Sequence, residues 1–219
     1  MKTITIAIIL LVISISGRTQ SVKNDAKTSS QKIVGGGCEG CGAVFEYGQK
    51  RLTWIDTLPD FHEPGPKLEV RGTIYKRDRK TPANDVILYV YHTDQKGEYP
   101  RKGNETGMAT KHGYIRGWIK TNADGKYTFY TLRPAAYPGG GNPAHIHPII
   151  KEPGIQEYWI DEYLFDDDPI LTDEERKSQR GRGGNGILKL KTDKTGMFLA
   201  ERDIILGLNV PGYEKLTAP

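Results

Sequence analysis

Two histidines separated by a single residue are the first place in this chain where chemistry is expected. The stretch "PGGGNPAHIHPII", residues 138–150, contains His145 and His147, in a chain with only five histidines. Alternate side chains of a β-strand point to the same face, so both imidazoles would project toward one point. This geometry suits a metal ion, but such pairs also occur on strands by chance. Both interpretations are open from the pair alone.

Two tyrosines accompany the histidine pair along the chain. Tyr99 lies in "GEYP", at the end of a predicted strand, and Tyr137 lies in "RPAAYP". The chain has 12 tyrosines, so any single one is more typical of packing than of chemistry. The joint order of "GEY", "TNADGKYTFYTLRPAAYP" and "PAHIH" nevertheless resembles the intradiol ring-cleavage dioxygenases, the family of catechol and protocatechuate dioxygenases. The resemblance covers residues 66–212.

The resemblance implies a non-haem Fe(III) centre held by two tyrosinates and two histidines. Carried over to this chain, the four ligands are Tyr99, Tyr137, His145 and His147. The implied substrates are a catechol-type aromatic diol and O2, and a homo-oligomer is a further implication. In the implied mechanism, catechol displaces Tyr137, whose released phenolate acts as a base. The ring then opens between the two hydroxylated carbons to give a cis,cis-muconate-type diacid.

The donor types agree with such a centre independently of the resemblance. A phenolate oxygen is a hard, anionic ligand that suits a hard trivalent cation, and imidazoles complete the coordination. A phenol with its ordinary pKa of about 10 is neutral at pH 7, but a trivalent ion displaces its proton. Two tyrosinates also offset most of the ion's charge, which lowers the cost of burying it.

Three positions depart from the pattern of the family. Asn142 stands where an arginine usually stabilises charge on the ring, Gly139 stands at a usual tryptophan, and Glu162 stands at a glutamine. Loss of one electrostatic contact of this kind lowers rates on the order of a hundredfold. We therefore expect Asn142 at the catalytic site and a more open pocket beside Gly139 and Glu162. One alternative is a non-catalytic module that binds iron or catechol, and another is a carbohydrate-binding or structural sandwich without a metal.

Other charged residues have less specific interpretations. Arg133 and Arg116 are candidate substitutes for the missing arginine, although each is more typical of a structural arginine. The run Asp166 to Asp168 is typical of a solvated loop, with a calcium site as the alternative because hard oxygen ligands cluster there.

Short strands separated by turn signals dominate the rest of the chain. Their spacing of roughly ten residues favours an all-β antiparallel sandwich or barrel, and the resemblance selects the sandwich. The turn "NADG" is expected to close a hairpin. A single short helix is expected at "LTDEERKSQ", where Thr172 and Glu175 form a capping box. The predicted strands are "LEVRGTIYK", "DVILYVYHT", "YIRGWIKT", "GKYTFYTL", "AHIHPIIK", "YWIDEYLF", "GILKLKT" and "MFLAERDIILGL".

The chain begins with a secretory signal pattern over residues 1–20. Its apolar run is about twelve residues, short of the roughly 20 that a membrane span needs. Residues 21–65 are expected to form a flexible leader and an N-terminal segment, and residues 213–219 a tail. These features predict a secreted or periplasmic protein that has no membrane association after cleavage, and an uncleaved membrane anchor is the alternative.

Cys38 and Cys41 form a C-x-x-C motif in a glycine-rich context. A local disulfide is the favoured interpretation in an oxidising compartment; half of a metal site and a redox dithiol are the alternatives.

The formal charge of the chain is +4, of which Lys2 and Arg18 would leave with the signal segment. This small, interspersed charge argues against a nucleic-acid partner.

Overall fold

The computed structural model describes residues 33–213 of the chain. Residues 1–20, the predicted signal segment, lie outside the described residues, as do 21–32 of the leader and 214–219 of the tail. The described part forms two sheets of six strands. The first sheet has the order β1 (Ile55–Thr57), β5 (Lys126–Leu132), β2 (Lys67–Tyr75), β11 (Phe198–Glu201) and β10 (Lys191–Thr192), with β12 (Ile204–Ile205) also on β2. The second has the order β4 (Arg116–Lys120), β3 (Ile87–His92), β6 (His145–Lys151), β8 (Tyr163–Phe165) and β9 (Ile187–Leu188), with β7 (Tyr158–Trp159) also on β6.

This arrangement confirms the predicted all-β sandwich. The longest pairings are antiparallel and join β2 with β5, β3 with β4, and β3 with β6. The sheets are nevertheless mixed, since β1 is parallel to β5, β11 and β12 are parallel to β2, and β9 is parallel to β8. Parallel neighbours need a crossover connection rather than a tight turn. The segment with α2 (Asp173–Ser178) supplies that connection between β8 and β9.

The main core lies between the two sheets. Alternation along the strands directs Val70 and Phe129 from the first sheet against Leu88 and Ile146 from the second, and each of these side chains is fully buried. Apolar side chains at these positions supply most of the burial that stabilises the sandwich. A second, smaller cluster lies on the outer face of the second sheet, where N-terminal residues pack over the β3 and β4 side chains.

The sandwich extends beyond both of its predicted boundaries. It begins upstream of residue 66, because β1 pairs with β5 through residues 55–57. Three residues are too few for alternation to be recognised in a sequence. At the other end, Tyr213 was assigned to the tail, but it is buried and its hydroxyl donates to the Glu152 carboxylate at 2.9 Å.

Two of the predicted strands are interrupted. "MFLAERDIILGL" divides into β11 and β12, because the Asp203 carboxylate at the break accepts the N–H of Thr73 at 2.8 Å. "YWIDEYLF" divides into β7 and β8, and the Asp161 carboxylate in the gap accepts the N–H of Gly181 at 2.6 Å. In both cases an acidic side chain accepts a backbone N–H from another segment at the point where the strand is interrupted.

The turn "NADG" does not close a hairpin, contrary to the expectation. It joins β4 in the second sheet to β5 in the first. Asn122 Oδ1 accepts the N–H groups of Asp124 and Lys126, and Gly125 has a φ of +67°. A tight turn therefore carries the chain from one layer to the other, because the turn chemistry does not specify the partner of the following strand.

Two short α-helices and a 3-10 helix (Cys41–Phe45) complete the described part. α1 (Ala109–His112) precedes β4, and α2 carries the predicted capping box, in which Thr172 Oγ1 accepts from Glu175 N–H and the Glu175 side chain accepts from Thr172 N–H. Within residues 33–213, no helix has the length and apolar character to cross a bilayer.

A buried histidine between the sheets is expected to make the fold sensitive to acid. Nδ1 of His92 donates to the carbonyl of Thr93 and Nε2 accepts from Thr131 Oγ1, each at 2.7 Å. Burial lowers the pKa of His92 to about 4, below its usual 6.5. As the pH falls, this histidine is protonated at a higher pH in the unfolded chain than in the folded protein. The contribution of His92 to stability is therefore present above pH 6.5 and is lost as the pH falls toward 4.

We expect His92→Gln to reduce the loss of unfolding free energy between pH 6.5 and pH 4, measured by urea titration across that range. His62→Gln is the matched control, because His62 is exposed. If the free energy of unfolding of His92→Gln depended on pH as steeply as that of the wild type, buried His92 would not be the source of the acid sensitivity.

Candidate metal centre

The histidine pair lies on the outer face of the second sheet. Along β6, Ile146 and Ile150 pack in the main core, whereas Ile149 packs in the smaller outer cluster. Because side chains alternate between faces, His145 and His147 share the outer face with Ile149. Both imidazoles therefore point away from the main core and toward the loops that precede α1 and β6.

Tyr99 and Tyr137 lie on two loops that are tied together. Tyr99 follows β3 and Tyr137 follows β5, so the two loops come from different sheets. The Thr93 hydroxyl donates to the carbonyl of Ala135 at 2.8 Å. The N–H of Ala135 in turn donates to the carbonyl of Asp94 at 3.1 Å. These bonds bring the segments that bear the two tyrosines side by side.

A glycine makes this close approach possible. Gly97 has a φ of +79°, and a Cβ at this position would overlap the carbonyl oxygen of Ala136. Only glycine adopts that backbone conformation at no steric cost while leaving room for the neighbouring chain. Gly97 therefore lets the loop of Tyr99 lie against the loop of Tyr137.

Four side-chain atoms from these elements converge. The hydroxyl of Tyr99 lies 2.7 Å from the hydroxyl of Tyr137 and 2.8 Å from Nε2 of His147. Nε2 of His145 lies 3.2 Å from the Tyr137 hydroxyl and 3.0 Å from Nε2 of His147. The structure thus brings together all four residues that the sequence singled out as metal ligands.

The hydrogen bonds on the far sides of the imidazoles fix their protonation. Nδ1 of His145 faces the carbonyl of Pro143 at 2.7 Å, and Nδ1 of His147 faces a carboxylate oxygen of Glu162 at 2.9 Å. A carbonyl or an ionised carboxylate can only accept, so each Nδ1 carries the proton and donates. In the neutral form of each ring Nε2 then presents its lone pair, and two lone pairs 3.0 Å apart cannot bond to each other.

This donor set fits a cation. Metal–ligand bonds of about 2 Å hold ligand atoms on the order of 3 Å apart, which matches the observed spacing. Burial and the contact with Tyr137 raise the pKa of Tyr99, and burial raises the pKa of Tyr137. Burial and the neighbouring His147 lower the pKa of His145, which keeps its imidazole neutral. Two phenols and two imidazoles are donor groups that suit a hard cation able to displace the phenolic protons.

Glu162 lies directly across the sheet from His147. The register of β6 and β8 pairs His145 with Leu164 and Ile146 with Tyr163, which places the next residues, His147 and Glu162, opposite each other. Ligand atoms of His145, His147 and Glu162 lie within 4.8 Å of one another, a spacing that permits metal binding. Burial opposes ionisation of Glu162, but the hydrogen bond and charge of His147 outweigh it and keep its pKa below the usual value.

Asn142 and Gly139 lie on the loop that connects Tyr137 to His145. Both residues are exposed, and a Cβ at Gly139 would meet no atom within 4 Å. The loop therefore leaves open space at the position where the resemblance implies a bulky side chain.

The two candidate arginines are engaged elsewhere. Arg133 pairs with Asp167 at 2.7 Å, and its guanidinium lies 4.7 Å from the ring centre of Phe165. Arg116 pairs with Glu46 at 2.6 Å and lies over the ring of Trp118. Both interactions are structural, so neither arginine lies at the centre as a substitute for Asn142.

The three aspartates of the run 166–168 do not converge on a common point. Asp166 pairs with Arg176 and Asp167 with Arg133. Asp168 is buried, contrary to the expected solvated loop, and its carboxylate accepts the N–H groups of Ala144 and Ile170 at 2.8 and 3.0 Å. This aspartate therefore anchors the start of β6, immediately before His145.

Cys38 and Cys41 are joined by a disulfide in the N-terminal segment that covers the outer face. Cys38 contributes to the wall of a cavity of about 360 Å³ beside His147. The cavity is also lined by Tyr91, His147, Trp159, Arg180 and Glu162. A space of this size lies within the range of small-molecule sites.

Sequence reasoning missed Tyr91 and His112. The Tyr91 ring stacks on His147 with ring centres 4.5 Å apart, and on its other side it stacks on His112 at 3.7 Å. Tyr91 is opposite His147 in the pairing of β3 with β6. The only signal in the sequence is the alternation of "YVYH", which does not reveal the partner strand.

Comparisons with known proteins agree with this geometry. A family model described as dioxygenase matches residues 49–201. Catechol 1,2-dioxygenase 1 of Acinetobacter lwoffii is 28% identical over 176 residues, which cover 70% of this chain and 54% of that protein. The protocatechuate 3,4-dioxygenase beta chain of Burkholderia cepacia is 26% identical over 113 residues, which cover 49% of this chain and 48% of that protein. The chain spans about half the length of these curated relatives.

A solved structure shares the fold. Mercury-inhibited catechol 1,2-dioxygenase from an Acinetobacter species aligns with a TM-score of 0.53 at 21% identity, covering 70% of this chain and 56% of that one. The dioxygenase model matches well over half of this chain, and its match spans the strands that carry the centre. The chain therefore belongs to the intradiol ring-cleavage dioxygenase family.

Proposed function

We propose that this protein uses ferric iron and O2 to cleave a catechol-type aromatic diol between its two hydroxylated carbons, which gives a cis,cis-muconate-type diacid. The observation that carries the proposal is the convergence of Tyr99, Tyr137, His145 and His147 at 2.7–3.2 Å. Family membership supports the reaction class. The second candidate, a module that binds iron or catechol without turnover, is favoured by the uncharged Asn142 on the loop beside the centre.

In this proposal the four converging residues hold the iron. When bound, ferric iron supplies Lewis acidity that activates the diol toward O2. His145 and His147 bind through Nε2, because each Nδ1 is already donating to an acceptor. The Tyr91 ring covers one face of His147 and limits the rotation of its imidazole.

Tyr137 is the residue suited to move a proton. It is half-buried on a loop, whereas His145 and His147 belong to a strand. Burial raises the pKa of its phenol, so the phenolate Oη is a strong base once it is released from a cation. The Tyr137 oxygen would then accept a proton from a substrate hydroxyl and return as a neutral phenol.

The proposal is tested by a visible spectrum of the iron-loaded protein before and after addition of catechol under nitrogen, followed by admission of air. We expect a tyrosinate-to-iron charge-transfer band that shifts with catechol, then O2 uptake and formation of a muconate. A protein that stays colourless after ferric reconstitution would contradict the iron site. A shifting band without muconate would identify the non-catalytic candidate.

The substitution Asn142→Arg is expected to raise kcat/KM for catechol. An arginine on this loop adds a positive charge near the ring, and one electrostatic contact of this kind changes rates by up to about a hundredfold. We expect at least a tenfold rise, measured by muconate absorbance at saturating O2. Asn142→Gln is the matched control, since it lengthens the side chain without charge. An equal rise in both variants would contradict the electrostatic explanation.

We also propose that the protein acts in the periplasm or outside the cell. The signal pattern of residues 1–20 and the disulfide between Cys38 and Cys41 support this location. Expression of the full chain, followed by N-terminal sequencing of exported material, tests it.

A homo-oligomer is a further proposal from the resemblance, tested by light scattering of the purified protein.

A further inference from the structure

We propose that Glu162 is a positioning residue that fixes the tautomer of His147 and increases the electron donation of its Nε2 to the bound metal. The proposal concerns the role of a carboxylate at a position where the family has a glutamine. It rests on the proposed function only in taking Nε2 of His147 as a metal ligand. Glu162 acts through His147 and does not itself touch the substrate.

The backbone places Glu162 and His147 close to each other. Residues opposite each other in an antiparallel ladder have Cβ atoms about 5 Å apart and share a face. Glu162 immediately precedes β8, and the register of β6 and β8 continued by one residue places it in that relation to His147. Its carboxylate oxygen reaches Nδ1 at 2.9 Å. The strand pairing next to Glu162 therefore sets the position of the contact.

The imidazole of His147 is constrained on three sides. Its Nδ1 donates to Glu162, one ring face stacks on Tyr91 at 4.5 Å, and Nε2 faces the hydroxyl of Tyr99 at 2.8 Å. His145 has a neutral carbonyl, that of Pro143, as its Nδ1 acceptor. The Nδ1 acceptors of the two histidines therefore differ in charge, since only His147 donates to a carboxylate.

A carboxylate at position 162 constrains the tautomer of His147 more strongly than an amide would. A glutamine offers one acceptor oxygen and one donor NH2, so it permits either tautomer of the histidine. A carboxylate only accepts, so it requires the proton on Nδ1 and leaves the Nε2 lone pair free. Its negative charge also strengthens the bond and raises the basicity of the imidazole. Glu162 thus makes His147 the stronger donor of the pair.

The alternative is that Glu162 is itself a ligand, since it lies in the same cluster of potential ligand atoms. Its carboxylate contacts Nδ1 of His147, whereas the Tyr99 hydroxyl and Nε2 of His145 lie near Nε2. The Nδ1 and Nε2 atoms lie on different sides of the ring. The geometry therefore places Glu162 behind the ligand and outside the group of four converging atoms.

The test compares Glu162→Gln with Glu39→Gln. Glu39 borders the same cavity but pairs with Lys111 at 2.6 Å, so it controls for the loss of one negative charge nearby. The first readout is the tautomer of His147 in metal-free protein, from 15N chemical shifts. We expect the Nδ1–H form in the wild type and in Glu39→Gln, and a mixture in Glu162→Gln.

The second readout is ferric-iron affinity by competition with a chelator, together with the charge-transfer band. We expect Glu162→Gln to weaken binding by about 10 to 100-fold and to move the band to longer wavelength, since a weaker donor leaves iron more electron-poor. Glu39→Gln should change neither. An unchanged tautomer and affinity in Glu162→Gln would overturn the proposal. Neither readout requires ring cleavage, so a failure of the proposed reaction is distinguishable from a failure of this role.

Discussion

Replacement of His147 by alanine is expected to abolish the charge-transfer band and to weaken ferric-iron binding by more than about 100-fold. The variant removes one of four converging donors, and loss of an indirect partner alone costs about 10 to 100-fold. It also leaves the Glu162 carboxylate without its 2.9 Å partner beside the centre. Iron content after reconstitution and chelator competition measure the effect.

The fold of His147→Ala is expected to persist, because His147 lies outside the main core. Circular dichroism and thermal unfolding check that expectation. His62→Ala is the matched control, since it removes an exposed histidine and should retain full iron binding. If His147→Ala still took up one equivalent of iron with the same band, the four-ligand centre would be wrong.

Replacement of Asp168 by alanine is expected to lower both stability and iron affinity. The buried N–H of Ala144 and the partly buried N–H of Ile170 lose their acceptor. Each such loss costs about 1–3 kcal/mol, so we expect about 3 kcal/mol in the free energy of unfolding. The start of β6 also loosens, which displaces the Pro143 carbonyl that orients His145, and iron affinity should fall by about 10 to 100-fold.

Asp168→Asn separates the two effects of that change. An asparagine keeps one acceptor oxygen, so its stability should lie between wild type and alanine in urea unfolding. Asp167→Ala is the control, because Asp167 is exposed and pairs only with Arg133 at the surface. It should cost less than about 1 kcal/mol. Iron affinity of Asp168→Ala equal to that of the control would contradict the anchoring role.

The sequence predicted those features that depend on local patterns. Alternation in "LEVRGTIYK" and "GKYTFYTL" predicted β2 and β5, and the spacing of His145 and His147 predicted a shared face. Thr172 and Glu175 predicted the capping box of α2. These signals are local, since each involves residues within about one strand or one helical turn.

Features that depend on pairing between distant segments were not predicted from the sequence. The contact of Glu162 with His147 requires the register of β6 and β8, and the stacking of Tyr91 requires the pairing of β3 with β6. The burial of Asp168 depends on where the chain returns beside Ala144. The tyrosines were assigned through the resemblance, because their loops meet only in the folded chain.

The candidate metal centre lies on the outer face of a sheet, so the residues that stabilise the fold are largely different from those that border the centre. Residues between the sheets determine whether the chain folds, whereas the loop from Tyr137 to His145 borders the centre without entering the main core. Gly139, Gly140 and Gly141 in this loop have no atom within 4 Å of an added Cβ. An added side chain would meet no neighbouring atom there, but φ values of +77° to +113° at the three positions strain any residue other than glycine. Changes in this loop can therefore alter the space beside the centre at a local backbone cost, without disturbing the main core.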